Sequence, residues 1–202
     1  MNNTENFKYL HIHINGSKCK TAEDMLIEFW DKLNMPDPQL RNLNGLDDWI
    51  RDLSWIKDKY PEIETIYIHI HNQNDFLISN PELREKYLKD FESSDYWGEY
   101  QKEMGFIVTI SRTDKNDIHE NELDNRAALF YAEGYAKRSF NLEIISGFET
   151  EDCYIFTGGD KAKVMYGNPR FKINKKLFDI EPFSGTIKEI MDISKKGKSI
   201  SI

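Results

Sequence analysis

Residues 63–72 read "IETIYIHIHN" and residues 9–16 read "YLHIHING". Both alternate isoleucine with His or Tyr, the period-two pattern of a strand with one apolar and one polar face. Ile12, Ile14, Ile66, Ile68 and Ile70 share the apolar face. His11, His13, His69 and His71, with Tyr9 and Tyr67, take the other. Asn15-Gly16 closes the earlier strand with a turn signal. The chain between the two is too long for a hairpin and carries helical patterns, so the strands are expected to run parallel across helical crossovers.

Working outward, "TAEDMLIEFWDKLNM" (21–35) places Met25, Leu26, Phe29, Trp30 and Leu33 at helical spacing, with Thr21 and Asp24 as an N-terminal cap signal. The "PDP" of residues 36–38 is expected to end that helix. "RNLNGLDDWIRDLSW" (41–55) predicts a second helix. "NPELREKYLKDFESSDYWGEYQKEM" (80–104) is helical with a break near Ser93-Ser94 or Gly98, and "GFIVTI" (105–110) is a third strand. Residues 1–111 thus read as an α/β domain, a three-stranded parallel sheet with helices. The polar, aperiodic stretch 112–121 reads as a linker. Residues 122–202 read as an α+β domain with a small antiparallel sheet. Its first helix is "ELDNRAALFYAEGYAKRSF"; the strands are "LEIISGF", "DCYIFTG", "AKVMYG" and "RFKIN"; "GTIKEIMDISKKG" is a closing helix. The tail "KSISI" has no clear pattern.

Charge narrows the function classes. The 202 residues carry a formal net charge of −8. Residues 1–112 hold 20 acidic and 13 basic side chains, and the remainder 15 and 14. Direct binding to nucleic acid or an anionic membrane is not expected, and a basic partner should dock on the first half. Two distant cysteines, Cys19 and Cys153, suit reduced thiols in a cytoplasmic protein. "MNNTENFKYL" has no basic segment leading into an apolar run, so no signal peptide is expected. No apolar stretch approaches a membrane span.

In the 41–55 helix, Leu46, Trp49, Ile50 and Leu53 fall on one side at 100° per residue. Asn44, Asp48, Arg51 and Trp55 fall opposite, with Asp47 and Asp52 on the flanks. Asp47 and Asp48 near the helix start can be read as complements to the helix dipole, which needs no partner. They can also be read as a contact surface. Residues 8–111 resemble the barstar family, the intracellular inhibitors of barnase-type ribonucleases. The order of elements is that family's order. Pro36, Asn42, Leu43, Leu46 and Asp48 fit its pattern of proline, loop and Asn-Leu-Asp-Ala-Leu-x-Asp-x-Leu, with Ile50 at the last leucine. The resemblance implies a loop and second helix that plug a nuclease active site, with carboxylates in place of substrate phosphates. Arg and Lys arranged for phosphate accept a carboxylate through charge-assisted hydrogen bonds. Asp48 takes the place of the family's central aspartate. Asn44 stands where the family has its first helix aspartate, "PQLR" (38–41) replaces an aromatic-Gly element, and Arg41 brings a positive charge. The expected partner is therefore a basic nuclease toxin domain other than a barnase-like one. The expected partner-binding residues are Asp37, Gln39, Asn44, Asp47, Asp48, Arg51, Asp52 and Trp55.

The paired histidines admit other readings. His11/His13 and His69/His71 each share a strand face, and imidazole clusters bind zinc, copper or nickel. A metal-binding protein or metalloenzyme is thus an alternative, although no carboxylate or cysteine supplies an evident further ligand. The same residues can form a half-buried sheet face, or a face that receives residues 122–202. An interaction or scaffold domain without inhibitor activity is a further alternative. In the second half, Gly167, Asn168, Ile173, Asn174 and Lys175, preceded by Cys153 to Phe156, resemble the small YrhB-like immunity domains. Two fused modules would suit immunity against polymorphic toxins. No catalytic residue, metal site or cofactor is expected: "GGDK" (158–161) lacks P-loop spacing, and G-x-S-x-G, H-E-x-x-H and paired-Cys motifs are absent.

Overall fold

The structure is a computed structural model, described here over residues 8–37, 41–93, 105–113, 124–160, 167–176 and 179–202. The chain divides into two compact units, Met1–Ile118 and His119–Ile202.

In the first unit, strands β1 (Tyr9–Asn15), β2 (Thr65–His71) and β3 (Ile107–Arg112) form a parallel sheet with β2 central. Ile12 pairs with Ile68 and Ile68 with Ile110, so the isoleucines line up across all three strands. Leu10, Ile12, Ile14, Ile66, Ile68 and Ile70 are fully buried. The strand β3 runs through Arg112, one residue into the stretch read as a linker. An ion pair between Arg112 and Glu92 joins it to the helix before it.

Helix α1 (Ala22–Lys32) begins in a reciprocal cap. The Thr21 hydroxyl accepts from the Asp24 amide at 3.1 Å, and the Asp24 carboxylate accepts from the Thr21 amide at 3.2 Å. Its end departs from the expectation that "PDP" stops it. Asn34 adopts a left-handed φ of 51°, and the Met35 amide reaches back to the Trp30 carbonyl at 3.1 Å. The last carbonyls are therefore satisfied before Pro36 is reached. Helix α2 spans Leu43–Asp52 and α3 spans Ser54–Lys59. Helix α4 (Pro81–Glu92) is capped by Asn80 and stops at Ser93, as the sequence suggests. Phe29 of α1 packs against Phe76 and against Phe91 of α4, with ring centroids 6.4 and 5.9 Å away.

The second unit has helix α5 (Asn125–Phe140), an antiparallel sheet and helix α6 (Ile187–Lys196). The sheet order is β7 (Ile180–Pro182), β6 (Arg170–Asn174), β5 (Cys153–Gly159), β4 (Glu143–Glu149) and β8 (Lys198–Ile200). Ala127, Ala128, Phe130, Tyr131, Ala132 and Ala136 of α5 are buried. Strands β7 and β8 carry too few residues for a legible period; β8 draws the unassigned tail onto β4. Residues 162–166 of the expected strand "AKVMYG" lie outside the described residues, as do residues 114–121 of the expected linker. Cys19 and Cys153 are buried free thiols, and among the described residues no helix is long and apolar enough to cross a membrane.

Gly16, directly after β1, is set by close approach. A Cβ there would lie 2.5 Å from the Asn72 carbonyl oxygen and 2.7 Å from that of His71. Gly16→Ala must push β1 from β2 and is expected to destabilise the first unit by about 1–3 kcal/mol in urea unfolding.

Candidate functional site

The second helix owes its position to its two ends and its apolar stripe. Asn42 caps it, its side chain accepting from the Gly45 amide at 3.0 Å. Leu46 and Ile50 are fully buried. The helix stops because Leu53 adopts φ 49°, a left-handed conformation that turns the chain into α3 while keeping the Leu53 side chain buried. The 41–55 stretch is therefore two helices where the periodicity predicts one.

That break relocates Trp55. On a continuous helix it would share the outer face with Asp48. On α3 it lies edge-on to the half-buried Trp49, with centroids 5.1 Å apart and planes at 82°. Its indole N–H donates to the Leu33 carbonyl at 3.0 Å. Trp55 is thus half-buried, tying α3 to the end of α1, with its one polar group already committed. Trp49, expected on the core side, is likewise only half-buried.

The acids also differ from a uniform face. The helix starts at Leu43, so Asp47 and Asp48 lie beyond the first turn, where the dipole effect has faded. Asp47 is paired: Lys86 of α4 donates to its Oδ2 at 2.9 Å and lies 3.4 Å from Asp90. Burial lowers the Lys86 ammonium pKa, but the hydrogen bonds and charges of Asp47 and Asp90 outweigh it and hold the group above its ordinary value. Asp52 accepts from the Ser54 hydroxyl at 2.8 Å. Asn44 and Asp48 are exposed, one turn apart on the same face. Neither side chain makes a hydrogen bond or ion pair among the described residues. Arg51 is half-buried nearby. The Asp37 carbonyl accepts the Trp30 indole N–H at 3.1 Å, fixing the approach to the loop. Gln39 lies outside the described residues. Lys86 was not singled out from sequence; its only local signal is the spacing of four to Asp90.

On the opposite face of the sheet the histidines form two rows. His11 Nδ1 lies 2.9 Å from His69 Nε2, and His69 Nδ1 lies 2.6 Å from Ser111 Oγ. His13 Nδ1 lies 2.9 Å from His71 Nε2, and His71 Nδ1 lies 3.3 Å from Thr113 Oγ1. Ser111 and Thr113 extend the alternation of β3 into residues that polarity alone assigned to a linker or its edge. In each row the ring nitrogens face one another instead of converging on a point. Among the described residues no group of three or more His, Cys, Asp or Glu is arranged to hold a metal ion. In the second unit, an open pocket has Phe183 and Ile193 beside Glu151 and Asp192. Glu189, also on its wall, is committed to capping α6.

Residues 9–109 match the family model described as Barstar (barnase inhibitor). A search of curated proteins finds no match. The matched segment covers half of the chain and contains β1, β2 and the first part of β3, and the chain belongs to the barstar family. The family is one of inhibitor domains, and the match leaves the second unit outside it.

These contacts separate structural from presented side chains. Trp55→Phe should cost about 1 kcal/mol through the lost bond to Leu33. Asp48→Ala, which breaks no internal contact, should change stability by less than about 0.5 kcal/mol in the same urea titrations.

Proposed function

We propose that this barstar-family chain is an immunity protein that binds and inhibits a ribonuclease-type toxin in the cytoplasm. It would do so by placing α2 and the preceding loop in the basic active-site cleft. The observation that carries the reading is the state of Asp48. It is an exposed carboxylate without a partner among the described residues, on a helix held by a cap at one end and a buried turn at the other. Such a group is ready to accept Arg or Lys donors arranged for phosphate, and little ordering entropy is lost when it does. Asn44, one turn away, offers a neutral donor and acceptor beside it. The charge of −7 over residues 1–112 would speed encounter with a basic nuclease.

The pairing of Asp47 with Lys86 assigns unequal roles to the acids. Asp48 would meet the partner's cations, Asp52 would lie at the edge, and Asp47 would contribute less because its charge is already balanced. The Asn44 and Lys86 features also set this surface apart from one shaped for barnase, and the proposed target is a nuclease with fewer cations in reach of α2.

The test is calorimetric titration of a panel of basic ribonuclease-type toxin domains, chosen beyond the barnase-like ones, with RNA cleavage followed in parallel. Wild type should bind and inhibit at least one of them. Asp48→Ala should raise its Kd by about 100-fold or more, equivalent to about 3 kcal/mol, while Asp47→Ala should raise it by less than about tenfold. Tight binding unaffected by Asp48→Ala would place the interface elsewhere and leave α2 as scaffold. Absence of binding to every nuclease would favour an interaction domain that has lost the inhibitor role.

A further inference from the structure

The histidine rows use four of the five histidines of the chain, and the proposed inhibitory surface does not involve them. In each row the imidazoles lie edge to edge. His11 and His69 have planes 2° apart and centroids 5.2 Å apart, with the nitrogens in contact between them. His13 and His71 have the same centroid distance at 18°. The rows are also in contact with each other, His13 lying 5.0 Å from His69. His13 and His71 are 3% and 1% exposed. Both rows start on β1 and pass through β2; one ends at Ser111 on β3 and the other at Thr113, directly after β3.

We propose that these rows are an acid-operated clasp on the three-stranded sheet. Uncharged, they tie β1 to β2 and β2 to β3; protonated, they release the sheet. The chemistry follows from counting protons. A neutral imidazole has one N–H and one lone pair. Two neutral rings and a hydroxyl make a continuous chain in either direction across the strands. One added proton leaves the chain intact, because an imidazolium can donate to its neighbour on each side. A second proton on the same row puts N–H groups on both sides of the N···N contact, and that bond is lost. Release therefore needs several protons and is steep in pH.

The surroundings oppose the first proton as well. Burial is the largest influence on each of His13, His69 and His71, and it disfavours the charged ring. Among the described residues of β1 and β2, the charged forms facing His13 and His69 are the other histidines, which repel a further proton, and the Tyr67 ring stacks on His11 and His69. From α1 the cation of Lys32 acts on His13 in the same sense. Glu28, the other buried ionic side chain of α1, accepts from the Asn15 amide at 3.1 Å. The hydroxyls that end the rows, Ser111 on β3 and Thr113 directly after it, are uncharged. His13 is accordingly pushed down to about 2 and His69 to about 4 from an ordinary 6.5. Since the folded values lie below the unfolded one, the unfolded chain takes up protons first. Stability is full above about pH 6.5 and falls as pH drops toward about 4.

Urea unfolding of the full chain at a series of pH values tests the clasp. Tryptophan fluorescence reports the first unit, because Trp30, Trp49, Trp55 and Trp97 all lie within residues 1–118. The unfolding equilibrium constant should rise about 100-fold per pH unit as pH falls through 5.5, the signature of at least two protons. His69→Gln should reduce that slope by about tenfold per unit. Nitrogen-15 spectra of ring-labelled wild type supply a check independent of any variant. Couplings across both N···N contacts at pH 7, with His13 and His69 still neutral at pH 5.5, are expected. A slope of tenfold or less, a slope unchanged by His69→Gln, or a His13 or His69 ring that titrates near pH 6.5 would overturn the proposal.

Discussion

Parallel pairing of β1 with β2, in the register that sets Ile12 beside Ile68 and His13 beside His69, is the constraint on which the first unit depends. Because side chains alternate with period two, this one register decides both faces of the sheet at once. It aligns the isoleucines into a continuous apolar layer and brings imidazoles on adjacent strands within hydrogen-bonding reach. A slip by one residue would turn isoleucines onto the histidine face and break both rows. The close approach of Gly16 to the His71 and Asn72 carbonyls holds the end of the register in place. The Asn72 side chain adds a bond to Asn15 Oδ1 at 3.0 Å.

The helices read that layer from the other side. Helix α2 contributes Leu46 and Ile50 to the core, and this burial decides which of its residues point outward. The left-handed turn at Leu53 then does two things. It keeps a third apolar residue, Leu53, in the core, and it swings Trp55 back onto Trp49 and Leu33. The presented surface is narrower than a continuous helix would give: Asn44 and Asp48, with Asp47 neutralised by Lys86 and Asp52 held by Ser54. Electrostatics and packing act together here, since one rigid helix carries the unpaired acid and shields its neighbour.

The second unit solves the same problem with local chemistry. Its central strand β5 is buried on both faces, and Gly147 and Gly158 make room for Phe156 and Phe171. Lys175, 7% exposed, is paired with Glu149 at 2.8 Å and lies over the Tyr154 ring, so a buried cation is compensated on two sides. That hydrogen bond holds the Glu149 carboxyl below the usual range.

Sequence by itself determined the element types in both halves, the strand polarity of the first sheet, the two faces of β1 and β2, and the outward direction of Asp48. Each follows from a period of two or 3.6 residues, from a cap such as Thr21 with Asp24, or from a crossover too long for a hairpin. Tertiary structure alone decided which acids are free. The Asp47–Lys86 pair spans 39 residues, and the bonds that join β1 histidines to β2 histidines span 58. No local pattern encodes such a partner, because it depends on register and on where a later helix packs. The end of α1 at Asn34, the break at Leu53 and the capture of residues 198–200 by β4 were hidden for a related reason. Each is set by one residue's backbone conformation or by a short edge pairing, too brief to leave a period in the sequence.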